Sequence, residues 1–151
     1  DMLRRILRNM DLSENEIDES IYDAMLLSVD VAHALHPNKK EKMDITNKPV
    51  MGKGFCIKQA CSQSYATDAQ AIAILCQLCD EKGIPYQRFV NRSDSRGGST
   101  LGSIAGTLLP VKTVDIGIPI LAMHSACELM GVRDMKALSD CVTAFFGYLG
   151  K

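Results

Sequence analysis

The chain has 151 residues, which is enough for one globular domain and too few for two of ordinary size. Hydrophobic residues make up 46% and charged residues 23%, the balance of a globular protein, and this excludes an intrinsically disordered chain. With 17 Lys and Arg against 18 Asp and Glu, the net charge is −1, which argues against a nucleic-acid partner. Without an apolar run of ~20 residues or a signal-peptide pattern, we expect no membrane partner and a cytoplasmic location.

Apolar periodicity, caps and helix breakers predict helices and strands that alternate along the chain. Ser13 and Glu16 form a capping box at the start of one helix, and Thr67 and Gly83 are interpreted as the cap and the stop of another. The expected helices cover residues 2–10, 13–25, 67–82, 101–109 and 126–148, the last one broken near Gly131. The expected strands cover residues 26–32, 55–59, 85–91 and 111–117, with a Lys-rich surface loop at 39–50. This alternation predicts an α/β fold with helices on both faces of one sheet.

Two side chains near predicted strand ends have the chemistry of metal ligands. Asp30 lies in an apolar strand, where an ionised carboxylate is costly unless a cation, a metal or several hydrogen-bond donors satisfy it. Backbone amides of the following turn are the alternative partners of this carboxylate. His124 follows an apolar strand, although a lone His is more often structural. Catalytic zinc takes about three protein ligands, so these two residues cannot complete such a site by themselves.

A glycine-rich turn and a lysine are candidates for substrate binding. Residues 97–102 form a turn that enters a helix, where free backbone amides can hold an anion. The turn lacks the lysine of a P-loop and the spacing of a dinucleotide fingerprint, which favours a substrate carboxylate or carbonyl over a nucleotide. Lys58 interrupts an otherwise apolar strand. It is interpreted either as a solvated edge residue or as the cation that recognises an acidic substrate group.

The six cysteines open a further choice between a zinc site and a buried core. Cys76 and Cys79 have the C-x-x-C spacing of zinc ligands, but they lie in a continuous apolar helix rather than in turns. Thiols in such a run are more often small buried hydrophobes than ligands. We therefore expect reduced core cysteines, as is usual in cytoplasmic proteins.

Short motifs follow one another over nearly the whole chain. The most specific are S-V-D-V-A-H-A-L-H-P-N at residues 28–38 and L-A-M-H-S at residues 121–125. The others lie at residues 52–54, 57–58, 65–69, 90–94, 98–102 and 114–119. In this order they resemble the aspartyl-aminopeptidase family of dinuclear zinc exopeptidases.

The resemblance implies a three-layer α/β/α sandwich of the zinc-exopeptidase type and an enzyme that removes N-terminal acidic residues from peptides. It implies that Asp30 ligates one of two zinc ions and His124 the other, and that the two ions activate a shared water. The residues that it implies beside the peptide substrate are His33, Lys58 and Tyr65, with Gly98, Ser99 and Thr100 in the turn. Lys58 would help to select an acidic side chain. Family members form large homo-oligomers.

The resemblance also implies that part of the active site lies outside these residues. The family's His-x-Asp ligand pair, its bridging Asp and its Glu-Glu pair, which supplies the general base, lie upstream and do not occur in this sequence. The chain also begins at Asp1 without an initiator methionine. We therefore expect residues 1–151 to be the carboxyl-terminal part of a catalytic domain and to be inactive alone. The alternative is a non-catalytic module that keeps the fold and acts in assembly.

Overall fold

The computed structural model describes residues 2–95 and 97–148, which form helices and strands in alternation. The helices are α1 (Met2–Arg8), α2 (Glu14–Asp23), α3 (Ala69–Lys82), α4 (Leu101–Leu108) and α5 (Val132–Phe146). The strands are β1 (Met25–His33), β2 (Phe55–Gln59), β3 (Tyr86–Val90), β4 (Lys112–Leu121) and β5 (Leu129–Met130). A single 3-10 turn, Lys40–Lys42, lies in the predicted surface loop. None of the helices in this part of the chain is long and apolar enough to cross a membrane.

The strands form one mixed sheet in the order β1-β4-β2-β3, with β5 beside the end of β4. β1 runs parallel to β4, and β2 runs parallel to β3, whereas β2 and β4 are antiparallel. Helices α3 and α5 cover one face of the sheet, and α4 lies against β1 and β4 on the other. The predicted α/β fold with helices on both faces is therefore confirmed.

The main core lies between the sheet and the helices α3 and α5. Side chains at alternating positions of β4 point into it, as the two-residue period of a strand requires. The buried members from the strands are Phe55, Ile57, Val114, Ile116, Ile118 and Ile120, and those from the helices are Ala71, Ile72, Leu75, Cys79, Ala137, Leu138 and Cys141. Each large apolar side chain removed from water in this way contributes about 1.5–3 kcal/mol. This packing leaves the opposite face of the sheet free to carry polar groups.

The predicted helix ends at Ser13 and Gly83 are confirmed, whereas the predicted cap at Thr67 is wrong. Ser13 and Glu16 make the reciprocal capping box, and the hydrogen bonds from Ser13 lower the pKa of the Glu16 carboxyl. Gly83 ends α3 in the left-handed conformation at φ +65°. The cap of α3 is Asp68 and not Thr67, because the Asp68 carboxylate accepts the Ala71 amide at 2.8 Å. The Thr67 hydroxyl bonds to the sheet instead.

The predicted helix over residues 126–148 is wrong in its first part, since α5 begins only after Gly131. Leu129 pairs with Leu121, so β4 also runs four residues beyond the predicted end at 117. Pro119 is tolerated inside β4 because it falls between Gly117, the last residue paired with β2, and the first residue paired with β5. At position 119, β4 therefore needs no backbone amide donor on the edge that faces β2 and β5.

We predict that Gly54→Ala will unfold at a lower urea concentration than Gly52→Ala. Both glycines have positive φ, +103° and +88°, so alanine costs about 1–3 kcal/mol of backbone strain at either position. A methyl group on Gly54 would lie 2.1 Å from the Pro85 carbonyl oxygen, whereas a methyl group on Gly52 meets nothing within 4 Å. Equal losses in the two variants would contradict the close contact between the loop before β2 and the start of β3.

We also predict that exposed cysteines of this chain react with an alkylating reagent, whereas a buried one does not. Cys56 is fully buried, and burial, with a smaller contribution from the charge of Asp134, raises its pKa to about 12. Because a thiol reacts as the thiolate, iodoacetamide at pH 8 should modify the exposed Cys61 and Cys127 and leave Cys56 intact in the folded chain. Mass spectrometry of the peptides reads the result, and the chain in concentrated guanidinium chloride serves as the control. Rapid modification of Cys56 in the folded chain would contradict this placement.

Candidate metal and substrate site

The pairing of β1 with β4 and of β4 with β2 brings Asp30 and Lys58 to the same face of the sheet. The Lys58 side chain is 3% exposed, and its Nζ donates to the Val31 carbonyl at 2.9 Å. Nζ lies 3.4 Å from Oδ2 of Asp30, whose side chain is 48% exposed. The burial of Lys58 excludes the solvated edge residue that was one of its two interpretations. Asp30 therefore has a cationic partner inside the chain, although the contact is longer than the roughly 2.7–2.9 Å of a strong charge-assisted hydrogen bond.

The aromatic ring of Tyr65 covers the Lys58 ammonium from the other side. The Nζ atom lies 4.5 Å from the ring centroid, which is the geometry of a cation–π interaction. The Tyr65 hydroxyl accepts a hydrogen bond from Nδ2 of Asn91 at 3.3 Å. Burial first, and then the charges of Asp115 and Asp30, raise the pKa of the Tyr65 phenol, so the ring stays neutral near pH 7. Tyr65 and Lys58 thus form a rigid pair beside Asp30.

His33 lies at the end of β1, three residues beyond Asp30. Its ring is tilted against Phe89 with 6.5 Å between the ring centroids. Partial desolvation lowers the pKa of His33, and the charges of His124 and Lys58 lower it further. The strand register also relates these residues: His33 pairs with Ile120, four residues before His124, and Phe89, which contacts the His33 ring, pairs with Lys58. A neutral imidazole at this position can accept a hydrogen bond from a ligand.

His124 lies in the exposed loop that connects β4 to β5. The loop turns sharply, with φ of +56° at Ala122 and +69° at His124. The Ser125 amide donates to the Ala122 carbonyl at 2.9 Å, and the His124 amide donates to Oε1 of Glu128 at 2.5 Å. A left-handed backbone in residues other than glycine costs energy and persists only where the surrounding structure holds it in place. The two hydrogen bonds of this loop hold the strained backbone at His124.

The residues of the glycine-rich turn have different surroundings, since some line surface cavities and one is buried. Gly98 lines a cavity of 420 Å³ together with His33 and Asn91. Ser99 lines a neighbouring cavity of 570 Å³. Thr100 is 5% exposed and precedes α4, and its amide donates to the Ser64 carbonyl at 3.3 Å. Gly98 and Ser99 are therefore accessible to a ligand, whereas Thr100 packs beneath them.

The donor set for a metal is suitable in kind and incomplete in number. The Asp30 carboxylate and the His124 imidazole are exposed and are ordinary zinc ligands. Within residues 2–95 and 97–148, no group of three His, Cys, Asp or Glu side chains could hold a metal ion. This also applies to Cys79, which is buried in α3, and to Cys76, which is partly buried there. Asp30 and His124 are therefore suitable zinc ligands by residue type, but the described residues do not complete a zinc site around them.

Sequence reasoning missed two buried carboxylates, one next to Tyr65 and one that holds the loop before β2. Asp115 in β4 accepts the Ala66 amide at 2.8 Å, next to Tyr65. Asp134 in α5 accepts the Gly52 amide at 2.6 Å and the Gly54 amide at 2.7 Å, which anchors the loop before β2. Asp115 interrupts an apolar strand in the same way as Asp30, so the signal that singled out Asp30 also applied there.

Comparisons with known proteins agree on one family. The model of the aminopeptidase I zinc metalloprotease family, M18, matches residues 1–146. The chain belongs to the M18 family. A probable M18 family aminopeptidase 2 from Clostridium novyi (strain NT) is 48% identical over 137 residues, which cover 88% of this chain and 32% of that protein. The corresponding protein from Clostridium acetobutylicum is 44% identical over 146 residues, which cover 97% of this chain and 34% of that protein.

Solved structures support the same fold. A chain in the cryo-EM structure of the Ape4 and Nbr1 complex superimposes with a TM-score of 0.85 at 34% identity, over 89% of this chain and 26% of that one. The S. cerevisiae mApe1 dodecamer gives a TM-score of 0.72 at 27% identity, over 82% of this chain and 27% of that one. The present M18 chain thus spans about a third of the length of the curated relatives that it matches. The resemblance deduced from the motifs is confirmed at the level of the family and its fold.

The close packing of α4 on the sheet predicts how substitutions in this helix change the free energy of unfolding. A methyl group on Gly102 would lie 2.8 Å from both Oδ1 of Asp115 and Cβ of Ser28, whereas one on Gly106 would come no closer than 3.7 Å to Ala66. Gly102→Ala should therefore lower the free energy of unfolding by about 1–3 kcal/mol, because the added methyl group overpacks the interface. Gly106→Ala on the same helix should raise it by about 0.5–1 kcal/mol. Urea titrations measure both values, and a stabilising Gly102→Ala would contradict the contact.

Proposed function

We propose that this chain is the carboxyl-terminal part of the catalytic domain of an M18 metalloaminopeptidase that removes N-terminal, acidic residues from peptides. The observation that carries the proposal is the cluster on one face of the sheet. In it, the buried ammonium of Lys58 lies between the exposed carboxylate of Asp30 and the ring of Tyr65. Of the two histidines in the matching motifs, His33 pairs with Ile120, and His124 follows four residues later in the chain. Membership of the M18 family supports the reaction class.

In this proposal, Asp30 holds one of two zinc ions and His124 holds the other. A bound metal pair polarises the scissile carbonyl and lowers the pKa of a shared water. The general-base glutamate and the other ligands come from outside these 151 residues. The exposure of Asp30 supports this assignment, as does the strained loop that holds His124. The ammonium of Lys58 gives this exposed carboxylate a cationic partner at 3.4 Å.

Lys58 is proposed to select an acidic N-terminal side chain. Its ammonium remains bound to the Val31 carbonyl and to the Tyr65 ring, so its position does not depend on Asp30 alone. Its contact with Asp30 is long, which leaves positive charge available to a substrate carboxylate. His33 is proposed to bind the peptide as a neutral acceptor. Gly98 and Ser99, which are exposed, are proposed to contact the peptide, with the buried Thr100 next to them.

The complete enzyme is proposed to be a cytoplasmic homo-oligomer whose partner is a peptide, with no nucleic-acid or membrane partner. The related mApe1 forms a dodecamer. The near-neutral charge of this chain supports the absence of a nucleic-acid partner.

The proposal is tested in a chimera in which this chain replaces the matching segment of the Clostridium novyi relative. The chimera should cleave an aspartyl anilide, and a chelator should abolish the activity. Asp30→Asn and His124→Gln should each lower kcat/KM on the order of 100-fold or more, because each removes a metal ligand. Asp140→Asn is the matched control, since Asp140 is a surface carboxylate of α5 that pairs with Lys136.

Substrate preference is tested by Lys58→Met in the same chimera. The variant should lose about 10-fold or more of its kcat/KM for the aspartyl anilide relative to a leucyl anilide, because an ion pair with the substrate is lost. An unchanged ratio would contradict the role of Lys58. A chimera that folds and binds zinc but cleaves neither anilide would favour the non-catalytic module that acts in assembly.

The 151-residue chain alone should show no chelator-sensitive cleavage of the aspartyl anilide. The reason is that Asp30 and His124 provide two ligands and no general base. Zinc affinity measured on the chain by isothermal titration should be weak for the same reason. Detectable chelator-sensitive turnover by the chain alone would refute this expectation.

A further inference from the structure

The centre of the sheet contains a buried carboxylate that the proposed reaction does not use. Asp115 is 0% exposed and lies in β4, on the face that carries Lys58 and Asp30. Its position is in register with Lys58 of β2 on one side and with Ser28 of β1 on the other. A carboxylate enclosed at such a position is costly unless several groups satisfy it.

One side of Asp115 is tied to the loop that carries Tyr65. Its Oδ2 accepts the Ala66 amide at 2.8 Å, and its own amide donates to Oγ1 of Thr67 at 3.0 Å. The Thr67 hydroxyl in turn donates to the Lys58 carbonyl at 2.6 Å. These three hydrogen bonds hold the backbone next to Tyr65 and the backbone of Lys58, and so set the position from which the ring reaches the ammonium.

The other side of Asp115 has a polar atom without a partner. Among the described residues, Oδ1 of Asp115 and Oγ1 of Thr100 are the buried side-chain oxygens that accept or donate no hydrogen bond. An unmade hydrogen bond at a buried polar atom is expensive, and two such atoms in one neighbourhood point to each other as partners.

Two contacts of neighbouring residues place Thr100 near Asp115. Gly102, two residues beyond Thr100, lies against Asp115 so closely that a methyl group there would be 2.8 Å from Oδ1. The Thr100 amide donates to Ser64, which is two residues before the Ala66 amide that binds Oδ2. Because Oδ1 is closed to solvent, a partner from within the chain suits it better than an external ligand.

We propose that Asp115 is a positioning residue that holds Tyr65 against Lys58 through Oδ2, and that the Thr100 hydroxyl donates to its Oδ1 in the working enzyme. The glycine-rich turn and the Lys58–Tyr65 pair are then connected through the two oxygens of one carboxylate. The consequence for specificity rests on the proposed function, since it concerns the choice of an acidic side chain by Lys58. The hydrogen bond itself does not rest on that function.

The hydrogen bond is tested first on the chain itself, by hydrogen exchange of the Ala66 and Thr100 amides. Thr100→Val keeps the shape of the side chain and removes the donor, so both amides should exchange about 10-fold faster. Thr100→Ser should exchange as the original chain does. Thr107→Val is the matched control, because Thr107 is exposed on α4 and its hydroxyl bonds only to the Ile104 carbonyl. Unchanged exchange at both amides in Thr100→Val would overturn the proposal.

The positioning role is tested in the chimera with the aspartyl and leucyl anilides. Thr100→Val should raise KM for the aspartyl anilide about 10-fold and leave KM for the leucyl anilide within about 2-fold, and Thr100→Ser should restore the preference. In an Asp115→Ala background, Thr100→Val should add no further loss, because the two residues act through one hydrogen bond. Losses that multiply, or that are equal for both substrates, would overturn the role.

Failure of the two proposals is distinguishable. A chimera that cleaves neither anilide refutes the proposed function, and the exchange measurement on the chain still decides whether Thr100 binds Asp115. If Asp115→Ala does not fold, the comparison of Thr100→Val with Thr100→Ser decides the positioning role without it.

Discussion

The antiparallel pairing of β2 with β4 places Lys58 and Asp115 side by side inside the protein, and the arrangement of the site follows from the need to satisfy both. Lys58 reaches a carbonyl of β1, the Asp30 carboxylate and the Tyr65 ring. Asp115 binds the loop that carries this ring. Because burying either polar group without partners is costly, each takes hydrogen bonds or contacts from the neighbouring strands and loops. The apolar core on the opposite face supplies the stability that supports this cost.

Different elements of the fold divide the work of holding this arrangement. Asp134 in α5 anchors the loop that leads into β2, and Gly102 lets α4 approach the sheet at the Asp115 carboxylate. The β4–β5 connection adopts a left-handed backbone at His124. The candidate residues therefore come from both strands and loops, and loops on a sheet scaffold commonly carry functional residues.

The predictability of each part depends on how local its determinants are. The capping box at Ser13 and the end of α3 at Gly83 were predicted because they depend on residues within one helical turn. The helix expected from residue 126 failed because Leu129 pairs with Leu121, a tertiary contact that overrides local propensity. The prediction that Thr67 caps α3 was wrong for a similar reason. The Thr67 hydroxyl bonds to the backbone of Lys58 and Asp115, and the local sequence does not show that these two strands lie next to it.

The sequence by itself determined the order of helices and strands, the M18 family through its motifs, and the chemical types of the candidate ligands Asp30 and His124. These depend on periodicity and on short motifs, which are local properties of the chain. Only the tertiary structure decided that Lys58 is buried rather than solvated, and that Asp115 lies beside it without a partner for one oxygen. The reason is that burial and hydrogen bonding depend on the register between strands, and no local pattern in the sequence specifies that register.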